Sequence, residues 1–282
     1  MTPSKIIELL SFPRETREYL LKRLKMKDIP FLAKNAYICT GLDFPICKYS
    51  AADRLSVLVW LLSEKNRDYL ALGVPTDVIV NTFRDVSLRA RIYRKEHQAI
   101  GLSEADAIWF RHIINTEIFQ IGALQFQPFQ MVYLDEEMLG EPYMIFSGKQ
   151  KEQLPSGCSV INCHIPYGAQ LKSEMIRESF SMAMEYFRNW FPSKEFRAFL
   201  CYSWLLYPPM MDLLKEDSNI RRFASHFDII GKCPDNEQAK EYLRLGTTLS
   251  RSFHTQPHKF GYACGCITIA DQDIPNKERE NL

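Results

Sequence analysis

Apolar residues in this chain change their spacing near residue 118, and that change constrains the fold more than any single motif. Upstream they recur every three or four residues, the period of a helix with one buried face. Ser4–Leu10 and Glu15–Leu24 read as helices on this ground. So does Ala51–Leu72, with Leu55, Leu58, Val59, Leu62 and Leu70 on its stripe and Gly73 as a stop. Pro75 opens a further helix at its first turn, where a missing N–H costs nothing; Val78, Ile79, Phe83, Val86 and Ile92 are its apolar positions. Ser103 followed by Asp106 predicts an N-cap for a last helix, Glu104–Thr116.

Downstream, strands and helices take turns. Leu124, Phe126, Phe129, Met131 and Tyr133 alternate with polar neighbours, a strand signal with a break at Pro128. Glu141–Phe146 and Ser159–Ile165 read as strands separated by a polar loop, Ser147–Gly157. Then come a helix at Lys172–Phe191, a strand at Phe196–Leu206, a short helix at Pro209–Lys215 and a strand at Arg221–Ile230. A helix at Asn236–Leu245 and a strand at Tyr262–Ile269 follow. The pattern predicts an α+β chain: an all-helical domain at 1–117, a mixed α/β sheet domain at 118–270, and a polar, disordered tail at 271–282.

With 282 residues, each part is long enough to bury a core. Lys and Arg total 35 against 34 Asp and Glu, so no basic excess argues for a nucleic-acid partner. The most apolar run, Val57–Leu62, is closed by Glu64 and Lys65, well short of the ~18 residues of a membrane span. The first residues carry acids and lack a secretory h-region. A cytoplasmic setting follows as the expectation, with the eight cysteines as reduced thiols.

The chemistry concentrates after residue 159. The strand Ser159–Ile165 runs through Pro166, Tyr167, Gly168 and Ala169 into a helix beginning near Lys172 and Ser173. In open α/β sheets ligands gather where a strand ends and a helix begins, because free backbone N–H groups and the helix dipole favour a pyrophosphate. A tight connection with Gly168 in its turn would have the same sequence. Neither a Walker loop nor GxGxxG occurs anywhere. His164, at the strand end, is a candidate general base or a loop histidine held by hydrogen bonds. Cys163 beside it fits an inert strand thiol better than a nucleophile. Tyr202 and Ser203 would reach the same sheet edge if their strand is the neighbour, but no GxSxG elbow surrounds Ser203. Cys264 and Cys266 alternate in an apolar strand, and Pro257 spoils a helical pairing of His254 with His258, so no metal site is expected. Asp135, Glu136 and Glu137 read as a solvated turn.

With these residues in view, the chain resembles a bacterial acyltransferase family with an N-terminal helical N-acyltransferase domain and a C-terminal GNAT-like domain. The resemblance rests on Gly73-Val74-Pro75 with Thr82 and Asp85, Gly101-Leu102 with Trp109, and Ile121-Gly122-Ala123-Leu124-Gln125-Phe126. It continues in His164-Ile165-Pro166 with Gly168, in Ser203-Trp204-Leu205-Leu206, in Ser218-Asn219-Ile220 with Arg222, Phe223 and Phe227, and in the closing strand Gly261–Ile267. It implies acyl-CoA as co-substrate, direct attack of an amine on the thioester, and a small-molecule or peptide amine as acceptor. It also implies that Ser159–Ile165 and Phe196–Leu206 splay apart around the acyl group. His164 would then be the base, Tyr202 the acid towards the leaving thiolate and Ser203 a polar neighbour. Ile165, Tyr167, Gly168, Ala169, Lys172 and Ser173 would hold the cofactor. The chain departs from the family in having no [RQ]xxGx[GA] before the helix, Tyr202 in place of His, and Ala123 in place of Arg. A non-catalytic GNAT-like shell that binds a small ligand or a protein is the alternative.

Overall fold

The computed structural model describes residues 1–38, 43–133, 144–243 and 248–269, and the chain divides into two compact units, Met1–Ile121 and Gly122–Leu282. The first unit carries α1 (Pro3–Leu9), α2 (Arg14–Arg23), α3 (Ile29–Asn35), α4 (Ala51–Ala71), α5 (Thr76–His97), α6 (Glu104–Trp109), α7 (Arg111–Ile114) and a short strand, β1 (Phe119–Ile121). Side-chain oxygens start several of these helices: Thr2 accepts the Lys5 N–H, Ser50 that of Asp53 and Ser103 that of Asp106. The apolar stripes of α4 and α5 are buried as their spacing predicts, except that Leu70 is half exposed and Ile92 only half-buried. Tyr69 closes this core, edge-on to Phe83 and Phe119, with its phenol 3.1 Å from the Ile113 carbonyl and 3.0 Å from that of Ile118.

Some helices differ from expectation. Pro75 is the N-cap of α5 rather than its first residue. The segment Glu104–Thr116 is two pieces, α6 and α7, meeting at the fully buried Phe110. The seven-residue α3, which buries only Ile29 and Ala33, is too short to display a period. No described helix is long and apolar enough to cross a membrane.

The second unit is built on β2 (Leu124–Gln130), β3 (Ser159–His164), β4 (Phe196–Ser203), β5 (Asp228–Cys233) and β6 (Tyr262–Thr268), which lie side by side in the order β2-β3-β4-β6-β5. All neighbours are antiparallel except β3 and β4, which are parallel and joined by α9 (Ser173–Trp190). A parallel pair needs such a crossover. The other α-helices among the described residues are α8 (Gly148–Gln153), α10 (Asn219–Ala224), α11 (Glu237–Tyr242) and α12 (Thr248–Thr255).

One sheet face packs on α9 through rings: Phe180 meets Phe126 at 5.5 Å and Phe199 at 4.9 Å, both edge-on. Each such pair adds about 0.5–1.5 kcal/mol beyond the area it buries. The opposite face carries Val160, Ala198, Leu200, Cys264 and Cys266, covered by Met131 and Leu154. Pro128 does not break β2; it stays in register opposite Ile161.

Local hydrogen bonds overturn other expectations. The loop after Ser147 contains α8, because Ser147 and Gln150 form a reciprocal capping box. Of the expected strand Glu141–Phe146, residues 141–143 lie outside the described residues, and Met144 and Phe146 pack on the sheet without strand pairing. Arg221–Ile230 is not one strand. Ser218 caps Ile220, the Arg221 guanidinium reaches the Met211 and Leu214 carbonyls, and α10 forms first; β5 starts only at Asp228. β4 ends at Ser203, and Trp204–Leu206 is a 3-10 turn. The helix expected at Asn236–Leu245 ends at Tyr242, and α12 was not foreseen. Residues 135–137 and the 271–282 tail lie outside the described residues.

Gly122 shows how tightly α9 sits on the unit. Its φ is +59°, and an added Cβ would overlap the Ser179 hydroxyl. That hydroxyl accepts the Ala123 N–H at 2.8 Å and donates to the Met175 carbonyl at 2.7 Å. Gly122→Ala is expected to destabilise by about 2–4 kcal/mol, combining left-handed strain with overpacking. Urea unfolding measures this, and a change below about 0.5 kcal/mol would refute it.

Candidate functional site

Hydrogen-bond register opens the sheet at one place. β3 pairs with β2 to its end, with Phe126 opposite Cys163 and Gln125 opposite His164. On the other side, β3 and β4 stay in register only to Asn162 opposite Leu200. β4 continues beside β6 to Ser203 opposite Ala263. The last residues of β3 and β4 therefore each hold their outer neighbour while leaving one another. A register shift between Ser159 and Ile161, where β4 carries the extra residue, bends the pair before it parts.

Strand alternation then sorts the side chains. Ile161 and Cys163 turn to the α9 face with Phe126 and Phe199, whereas Val160, Asn162 and His164 turn to the other. Leu200 and Tyr202 share that second face, because Asn162 is level with Leu200. His164 and Tyr202 thus stand on the two lips of the opening, facing the same side. Gln125 and Gln127 lie opposite His164 and Asn162 in β2 and complete a polar strip on this face. Gln125, Gln127 and Asn162 are all buried, which makes the strip unusual for a sheet interior.

His164 Nε2 lies 3.1 Å from Gln127 Oε1. With that oxygen accepting, the ring proton sits on Nε2 and the lone pair on Nδ1. Tyr202 directs its hydroxyl at the thioether sulfur of Met131, 4.0 Å away, and its ring stacks on Tyr262 with centroids 6.4 Å apart. Burial foremost, and then the neighbouring Cys264, hold the Tyr202 phenol well above its ordinary pKa. It is a protonated donor facing a weak, soft acceptor.

Ser203 is placed differently. It is buried on the α9 face, and its oxygen accepts the Leu205 N–H at 3.1 Å, starting the 3-10 turn. The structure brings His164 and Tyr202 to one face and puts Ser203 behind it. Burial foremost, and then the hydrogen bond with Cys201, hold the Cys163 thiol well above its ordinary pKa, so it is no nucleophile.

Beyond His164 the chain makes a turn closed by Ala169 N–H to the Pro166 carbonyl at 3.0 Å. Gly168 takes φ +78° in it, and the space where its Cβ would stand is open. A side chain there would meet strain and would also cover an approach to the backbone. Tyr167 and Lys172 are exposed, Ile165, Ala169 and Ser173 are half-buried, and Leu171 anchors the loop. Lys172 is the N-cap of α9 and places no side-chain oxygen on its first amides. That leaves the amino end of an 18-residue helix facing the loop, with the acidic Glu174 in its first turn. Among the described residues no cluster of His, Cys, Asp or Glu is arranged to hold a metal ion.

Sequence reasoning missed Gln127 and Asn162. Their signal was nevertheless present: Asn162 and His164 are the polar positions two apart in the apolar strand SVINCH, and Gln125 and Gln127 repeat that spacing in β2.

Residues 118–256 match the family described as the GNAT-like C-terminal domain. No curated protein matches the chain in sequence. Among solved structures, the chain is similar to an acyltransferase in complex with decanoyl-CoA and teicoplanin, at 17% identity and a TM-score of 0.68. It is also similar to an acyltransferase mutant in complex with octanoyl-CoA, at 18% identity and a TM-score of 0.66. Each likeness covers 94% of this chain and 87% of the other, and each is a likeness of fold.

Proposed function

Starting from a GNAT-like C-terminal domain at residues 118–256, we propose that the protein is an acyl-CoA-dependent N-acyltransferase that moves an acyl group directly from CoA to an amine. The observation that carries this is the parting of β3 from β4 after Asn162 and Leu200, with His164 and Tyr202 on its two lips. An acyl thioester laid in that opening has its carbonyl between a proton acceptor and a proton donor. Its pantetheine and pyrophosphate then run along the Ile165–Ala169 loop towards the amino end of α9. Gly168 lets the backbone approach, Tyr167 and Ile165 flank the chain, and Lys172 and the Ser173 amide meet the phosphate charge.

The amine nitrogen attacks the thioester carbon, and the carbonyl electron pair moves to oxygen, where backbone N–H groups at the β3 lip receive it. His164 takes the proton that the new C–N bond makes acidic. Collapse of the intermediate re-forms the carbonyl and breaks the C–S bond. CoA leaves as a thiolate with Tyr202 donating to the sulfur. The proton taken by His164 passes through solvent to the thiolate, so amine and acyl-CoA become amide and CoA thiol with no covalent enzyme intermediate. Octanoyl-CoA and decanoyl-CoA are the first co-substrates to try, since acyltransferases of the same fold bind them.

Thermal unfolding with and without these thioesters tests the binding step. At a free ligand concentration 100-fold above Kd, linkage predicts about 2.7 kcal/mol of stabilisation. No shift with any acyl-CoA would favour a non-catalytic GNAT-like shell instead.

A further inference from the structure

Asn162 carries a feature that a sheet interior does not ordinarily tolerate. It is only 9% exposed, and its Oδ1 is fully buried with no hydrogen-bond partner among the described residues. An unpaired buried acceptor costs about 1–3 kcal/mol, so its retention needs a reason. The cross-strand neighbour that would ordinarily satisfy it is Gln127, directly opposite in register. Gln127 instead directs its Oε1 diagonally to His164 Nε2. Asn162 is also the last residue of β3 in register with β4, so it lies at the base of the opening, one alternation below His164 on the same face.

We propose that Asn162 is an acceptor-binding residue, whose Oδ1 takes one N–H of the incoming amine and points the nitrogen lone pair at the thioester carbon. This rests on the acyltransferase reading above. A neutral amide oxygen suits this task better than a carboxylate. It holds the amine by one N–H without favouring the ammonium form, which has no lone pair to attack with. Asn162 and His164 then divide the amine's hydrogens, one held and one removed.

The consequence is a separation of stability from turnover. Asn162→Leu removes an unpaired buried acceptor from between Leu200 and a Gln127 whose oxygen is already turned to His164, so its midpoint should equal or exceed the wild type by about 1–4 °C. With octanoyl-CoA as donor and hydroxylamine as a small amine probe, its KM for hydroxylamine should rise about 10-fold, the worth of one hydrogen bond. Octanoyl-CoA affinity, read by calorimetry, should change by less than about twofold, because the thioester does not use this oxygen. Asn162→Asp keeps an acceptor at the same place and, because hydroxylamine is a weak base that is unprotonated at neutral pH, should hold that KM within about threefold of wild type. An unchanged KM in Asn162→Leu, an equal loss in Asn162→Asp, or a midpoint lowered by about 5 °C or more in Asn162→Leu would each overturn the assignment. A wild type that binds no octanoyl-CoA, or forms hydroxamate no faster than the uncatalysed reaction, would overturn it together with the acyltransferase function. A wild type that turns over while Asn162→Leu keeps its KM overturns the assignment alone.

Discussion

Replacing His164 with alanine is expected to lower turnover by about 10²–10⁴-fold while leaving acyl-CoA affinity near that of the wild type. The asymmetry follows from where the imidazole stands. It is on the β3 lip, on the face opposite α9, whereas the loop and helix end proposed to hold the pyrophosphate lie beyond it in the chain. A base acts on the amine as the C–N bond forms, so its loss falls on kcat rather than on the binding of the thioester. The pH dependence carries a second signature. The imidazole must be neutral to accept a proton, so wild-type kcat/KM should fall on the acid side as the ring becomes protonated. In His164→Ala that limb should disappear, leaving only the rise that accompanies deprotonation of the amine itself. Retained turnover, or a mutant with the same acid limb, would remove His164 from the proton transfer. Loss of acyl-CoA binding in the mutant would instead make it part of the binding surface.

Much of this site could be read in advance because its parts are local. Strand period in SVINCH, the turn glycine at 168 and the 3.6-residue stripe from Ile176 to Trp190 give strand, loop and helix without tertiary information. Non-local pairing was harder. Tyr202 and Ser203 are adjacent in sequence, and alternation puts them on opposite faces. Which of them meets His164 depends on Asn162 being level with Leu200, a register that no single strand encodes. Ser203 also had a local alternative visible in hindsight, since Ser-x-x before a proline-rich turn suits a cap, and its oxygen goes to the Leu205 N–H. Residues 221–230 misled for a different reason. Their apolar content suited a strand, but the Ser218 cap and the Arg221 bonds to the Met211 and Leu214 carbonyls fix the first half as a helix. Gln127 and Asn162 escaped because a polar residue inside a strand looks like an ordinary outward position until burial shows otherwise.

Tyr202→Phe is expected to lower kcat by about 10–10²-fold, a smaller loss than a full proton donor would give. The limit comes from the same burial that makes the phenol a candidate. Its pKa is held far above that of a thiol, so transferring the proton outright to a departing thiolate runs uphill. What the phenol can supply is a hydrogen bond to sulfur as negative charge grows there, worth about 1.5–3 kcal/mol. Its present acceptor, the Met131 thioether at 4.0 Å, is also a sulfur, and a weak one that a developing thiolate would readily displace. Removing the hydroxyl leaves two weak sulfur partners, the Met131 thioether and the Cys264 thiol, without it and keeps the ring stacked on Tyr262, so stability should stay within about 0.5 kcal/mol of wild type. The discriminating measurement uses two thioesters of the same acyl group, one with CoA and one with a more acidic aryl thiol. The aryl thiolate carries less charge on sulfur and gains less from a donor, so the ratio of wild-type to Tyr202→Phe kcat should shrink towards one. An equal deficit with both leaving groups would mean that Tyr202 shapes the opening rather than stabilising the departing sulfur. A deficit that grows with the better leaving group would contradict the donor role outright.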